Sequence, residues 1–127
     1  MNPEEKKAFV LLKAVILYYH GLDEEERQIL EETALHYNAQ TELDWALSFI
    51  QEDYLSAFDR ARDFLHKIIA PLANDRKIGY LLEIWKDNNK KGYITEMEAT
   101  AMLNLARDWH VHRDFIDEIR RWVNEPI

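Results

Sequence analysis

Two carboxylates, Asp87 and Glu98, bracket a stretch crowded with oxygen donors, Asp87-Asn88-Asn89-Lys90-Lys91-Gly92-Tyr93-Ile94-Thr95-Glu96-Met97-Glu98. A hard divalent cation such as Ca2+ collects roughly six to eight oxygens, and a loop can supply them from its first, third, fifth, seventh, ninth and twelfth positions around a glycine at the sixth. In that register the ligands are Asp87, Asn89, the Tyr93 carbonyl, Thr95 through a water, and Glu98 with both oxygens, while Gly92 makes the turn. Lys91 falls on the fifth position, where an ammonium offers no acceptor, and Lys90 beside it nearly cancels the two acids. The spacing therefore predicts weak cation binding or none, on the order of 10⁻⁴–10⁻³ M where an ion is held. The same residues also spell a helix start, with Gly92 as turn, Ile94 as staple, Thr95 as N-cap and Glu98 reaching back as in a capping box. Both readings stand at the level of sequence.

Other chemistry-bearing groups are better explained by structure. His110 and His112 flank Val111 at a helix junction without a third ligand nearby in sequence, and a capping or surface role fits them. Glu32 and His36 sit four apart on one helix face, as an exposed pair would. Glu24, Glu25, Glu26, Glu31 and Glu32 make an acidic helix start that the helix dipole explains, with a docking surface for a basic partner as the alternative. Trp45, Trp85, Trp109 and Trp122 fall at helical core spacing. No phosphate loop, dinucleotide turn or Ser-His-Asp order is present, so nothing points to catalysis.

The elements that position these residues follow from composition and caps. The 127 residues suit one domain, and 47% hydrophobic with 31% charged residues suit a folded core. Only 3 Gly and 3 Pro favour long helices over sheets. A net charge of -8 opposes nucleic acid, and the lack of cysteine excludes disulfides and thiolate chemistry. Asn2, Pro3, Glu4 and Glu5 open a first helix that is apolar nearly all round from Ala8 to Tyr19, interrupted only by Lys13. Such a helix belongs at the centre of others; the run is too short to span a bilayer, and cytoplasmic location is expected.

Asp23 and Glu26 predict a capping box for a second helix, whose inner face carries Ile29, Leu30, Thr33, Ala34 and Tyr37 and which ends near Asn38. Thr41 is expected to cap a third helix and Asp53 a fourth, with an apolar stripe of Leu55, Phe58, Ala61, Leu65, Ile68, Ile69 and Leu72 closed by Pro71. A fifth helix spans about Asn74 to Trp85, a sixth runs from Thr95 to about Trp109, and a seventh covers His112 to Val123. The fold class is all-α: a compact bundle of about seven helices.

Shifted by 72 residues, the two halves align: Glu26 meets Glu98, Ala34 meets Ala106, Tyr37 meets Trp109, Ala39 meets Val111 and Leu43 meets Phe115. Gly21 pairs with Gly92 across a one-residue gap. Two pseudo-repeated units of helix, Gly turn, acid-capped helix and short helix are expected around the N-terminal helix. With these residues in place, the chain from about Phe9 to Trp122 resembles the tellurite-resistance TerB-like family. That resemblance implies a small helical domain tied to metal or stress responses, with an Asp-Gly and a later Glu binding divalent metal. Gly21 and Glu26 match in the first half and Gly92, Ile94 and Glu98 in the second, whereas His20 and Lys91 stand where the family's acids belong. The stretch from Asp87 to Glu98 also resembles an EF-hand calcium loop.

The expected function is a non-enzymatic, TerB-like, partner-binding domain with a degenerate divalent-cation site and a protein partner. The alternative is a calcium-responsive module built on residues 87–98. Gly21, Asp23, Glu26 and Gly92 are expected as structural turns and caps. No cofactor beyond a weakly held divalent cation is expected, nor a nucleic acid partner or membrane span, and homo-oligomerisation is left open.

Overall fold

In the computed structural model of the chain, residues 2–18, 23–90 and 92–124 are described. They form seven α-helices and no strand among the described residues: α1 Pro3–Leu17, α2 Glu24–Tyr37, α3 Gln40–Glu52, α4 Ala57–Ile69, α5 Asn74–Asn89, α6 Glu96–Asp108 and α7 His112–Val123. A short 3-10 turn, Tyr54–Ser56, precedes α4. The chain divides after Pro71 into two compact units.

In the N-terminal unit, α1 begins as its sequence dictates. The Asn2 Oδ1 accepts from the Glu5 amide at 2.8 Å, Pro3 occupies the first turn, and the acids favour the dipole. Every residue from Ala8 to Leu17 is buried. This helix packs on α2, α3 and α4, and the last two also pack on each other. Each fully buried Phe9, Leu11, Leu12, Ile16 or Leu17 contributes roughly 1.5–3 kcal/mol relative to exposure. Lys13 is buried among them. Its Nζ donates to the Thr33 Oγ1 at 2.8 Å and lies 5.2 Å from the centre of the Phe9 ring, while the Thr33 hydroxyl donates to the Ile29 carbonyl.

The second helix ends at an αL residue, Asn38, with φ 52°. The Ala39 amide reaches back to the Ala34 carbonyl at 2.7 Å and the Asn38 amide to Leu35 at 3.4 Å, the paired bonds of a Schellman turn. This tight reversal starts α3 at Gln40 directly, with no side-chain cap, so Thr41 lies inside the helix rather than at its cap. Asp53 likewise makes no side-chain cap bond; its carbonyl accepts from Ser56 instead, and α4 starts only at Ala57. Leu55, expected on the α4 stripe, consequently sits in the 3-10 turn and is 93% exposed. The buried face of α4 is Ala57, Ala61, Leu65 and Ile69, and Trp45 of α3 meets Phe64 of α4 with ring centres 5.3 Å apart.

Arg60 holds the α3 to α4 junction. Its Nη2 donates to the carbonyls of Phe49 at 3.0 Å and Asp53 at 2.8 Å, its Nε donates to the Ser56 Oγ, and its guanidinium covers the Phe49 ring. These are the carbonyls that a helix C-terminus leaves without intrahelical partners.

In the C-terminal unit α5, α6 and α7 pack on one another in pairs. The α6 to α7 reversal repeats the bonds of α2 to α3 at positions 72 residues on: His110 has φ 60°, the Val111 amide donates to Ala106 at 2.8 Å, and the His110 amide donates to Arg107 at 3.1 Å. The buried face of α5, Lys77, Leu81, Ile84 and Asn88, lies at the same spacing from Glu5, Phe9, Leu12 and Ile16 of α1, which are also buried. Trp109 is fully buried, whereas Trp45, Trp85 and Trp122 are half-buried. Lys77 donates to the Trp109 carbonyl at 3.2 Å, placing a cation on the C-terminus of α6.

The Arg60 fork yields the first prediction. Arg60→Ala lowers the unfolding free energy by about 1–3 kcal/mol, read as a lower urea midpoint at an unchanged m-value, and Arg60→Lys recovers less than half because an ammonium lacks the planar fork.

Candidate functional site

The residues expected to gather a cation are distributed between two helix ends. Asp87 and Asn89 are helical, because α5 continues one turn beyond Trp85 to Asn89. Leu81, Ile84 and Asn88 extend one buried stripe, and burial of that stripe carries the helix past the expected end. Asp87 is buried, with its Oδ1 3.1 Å from the Lys90 ammonium, while Asn89 is exposed. Gly92 then takes φ 90°, a left-handed conformation that favours glycine, and its amide donates to the Asn89 carbonyl at 2.9 Å. Tyr93 is exposed.

Thr95 and Glu98 form a reciprocal cap. The Glu98 amide donates to the Thr95 Oγ1 at 3.1 Å, and the Glu98 Oε1 accepts from the Thr95 amide at 3.0 Å and from its hydroxyl at 2.9 Å. Glu98 is fully buried. For this carboxylate to bind a cation with both oxygens, its Oε1 would have to give up two donors that already satisfy it. The same logic holds at α2, where the Asp23 Oδ1 accepts from the Glu26 amide at 2.8 Å and Glu26 accepts from the Asp23 amide at 3.4 Å. Gly21, His20 and Lys91 lie outside the described residues.

Among the described residues, no three His, Asp or Glu side chains form a group that could hold a metal ion. His110 and His112 are both exposed, as are Glu32 and His36. Asn88, which the sequence does not single out, is fully buried, and both its side-chain amide atoms lack a hydrogen-bond partner among the described residues. Its helical spacing from Leu81 and Ile84 is the signal in the sequence that marks it as buried.

A second feature lies in the N-terminal unit, where α2 and α3 leave a cleft of about 210 Å³. Leu30 and Leu43 are its buried floor and Leu47 is half-buried, with Arg27, Glu31 and Asp44 among the exposed rim residues. The Asp44 carboxylate accepts from the Gln40 amide at 3.0 Å. This volume is below the roughly 300–1,000 Å³ of small-molecule pockets and suits inserted side chains better.

Comparison of the chain with protein-family models, curated proteins and solved structures finds no match. No helix among the described residues is long and apolar enough to cross a membrane.

Two substitutions test this geometry. Glu98→Ala lowers stability by about 1–2 kcal/mol, whereas Glu98→Gln, which keeps the reach to the Thr95 amide, loses less than half as much in chemical denaturation. Asn88→Leu, close in volume and free of unmet polar atoms, raises the unfolding free energy by about 1–2 kcal/mol; a loss instead would show that the buried amide has a partner in solution.

Proposed function

We propose that this chain is a non-enzymatic, cytoplasmic helical domain that works by binding a protein partner, TerB-like in organisation and built from two copies of one three-helix unit. The observation that carries the partner-binding reading is the α2–α3 cleft, which opens a leucine floor between charged rims. Buried charged groups elsewhere are engaged in holding helices together: Lys13 on Thr33, Lys77 on the Trp109 carbonyl, and Glu26 and Glu98 in their caps. Groups satisfied in this way are poorly placed to act on a substrate. Support for the two-copy organisation comes from the matching reversals at Asn38 and His110, and the TerB-like likeness rests on Gly21, Glu26, Gly92, Ile94 and Glu98.

In this reading the segment from Asp87 to Glu98 serves to end α5 and start α6. Cation uptake there competes with the Glu98 cap and with the pairing of Asp87 to Lys90. The two functional readings separate in a thermal melt. A native-state site with a Kd near 10⁻³ M would add about 1.4 kcal/mol at ten times that calcium concentration, a rise of roughly 4–8 °C. The expected result is a melting temperature that stays the same, within about 1 °C, in calcium, magnesium, zinc or chelator. A rise in calcium that Glu98→Gln abolishes would overturn the cap reading in favour of the calcium-responsive module.

A further inference from the structure

The cleft between α2 and α3 has chemistry specific enough to name its occupant. Its apolar lining is Leu30, Leu43 and Leu47 with the half-buried Tyr18 beside them, and its volume of about 210 Å³ admits one or two apolar side chains. The exposed acids Glu31 and Asp44 stand on opposite helices at the rim, with Arg27 as the basic lining residue. Further exposed acids, Glu24, Glu25 and Glu32, continue along α2. One turn beyond Glu31 on the same strip of α2, Leu35 is 84% exposed.

The charge of the chain is concentrated on this unit. Residues 1–71 hold 7 Lys and Arg against 14 Asp and Glu, while residues 72–127 hold 9 against 10. The net charge of -8 thus divides into -7 and -1. An apolar slot within a strongly acidic surface selects ligands that carry apolar side chains and positive charge together. An acidic or neutral helix could use the slot but not the field. A second copy of this chain would bring like charge to like.

We propose that the α2–α3 cleft docks a basic amphipathic helix of a partner protein, its leucine-sized side chains on Leu30, Leu43 and Leu47 and its Lys or Arg side chains against Glu31 and Asp44. This deepens the partner-binding reading and rests on it. The binding mode is a helix laid in a groove, with anchors at helical spacing and rim charges that set orientation and encounter rate.

The test is a titration of the full chain, labelled with nitrogen-15, with a short helix-forming peptide of Leu, Ala and Lys. Two controls accompany it, one with Glu in place of Lys and one with Ser in place of Leu. The salt is kept at a physiological level, where exposed charges act over about 8 Å. The expected result is that the Lys and Leu peptide shifts amides of α2 and α3 around Leu30, Leu43 and Leu47, and that each control binds at least roughly tenfold more weakly. The double variant Glu31→Lys with Asp44→Lys, at two exposed positions, keeps the fold and weakens binding by a similar factor. Equal binding of either control overturns the proposal, as does an unaffected double variant. Self-association of the chain alone through α2 and α3, seen by sedimentation, also overturns it by making a second copy the occupant. Peptide shifts confined to other helices overturn this site while leaving the partner-binding reading standing. Failure of every peptide to bind at any position overturns both.

Discussion

The apolar surface of α1 is the constraint on which the N-terminal unit depends. A helix with side chains such as Phe9, Leu12, Ile16 and Leu17 on every side cannot rest on water by any face. Three neighbours, α2, α3 and α4, are arranged against it. The interruption at Lys13 is handled locally, because the Thr33 hydroxyl accepts from its ammonium and donates in turn to the Ile29 carbonyl. A buried ammonium without such a partner would be strongly unfavourable. Position 33 of α2 is therefore tied to position 13 of α1 through chemistry as well as packing.

Several helix ends are satisfied in a similar way. Two reciprocal caps start α2 and α6, and two Schellman turns with non-glycine αL residues end them. Arg60 and Lys77 carry cations onto the C-terminal carbonyls of α3 and α6. Acidic residues at helix starts and basic residues at helix ends are the arrangement the dipole favours. Much of what looks like chemistry in the sequence is this arrangement, and Glu98 is the sharpest case. Its carboxylate, the last ligand of a cation loop by spacing, is the first hydrogen-bond acceptor of α6 by geometry.

Between α2 and α3 the fold leaves apolar surface accessible. The cleft between α2 and α3 exists because the Asn38 turn brings the two helices back on each other while Leu30, Leu43 and Leu47 stop short of closing the gap. The acidic surplus of the first 71 residues gives that gap a sign. In the docking we propose, neither part alone discriminates among partners, and together they select a cation and an apolar anchor on the same ligand.

The sequence by itself determined the features whose causes lie within one helical turn. Asn2, Asp23 and Thr95 cap their helices because a side-chain oxygen reaches an amide three residues on, and Gly92 turns the chain because it has no Cβ to clash at positive φ. The all-α class and the burial of α1 were legible from periodicity for the same reason. Only the tertiary structure decided that Thr41 and Asp53 cap nothing, that Leu55 faces solvent, that α5 persists to bury Asp87 and Asn88, and that a cleft opens beside Leu47. Each of those outcomes depends on which face another helix covers, and residues far apart in the chain set that; no local spacing encodes it.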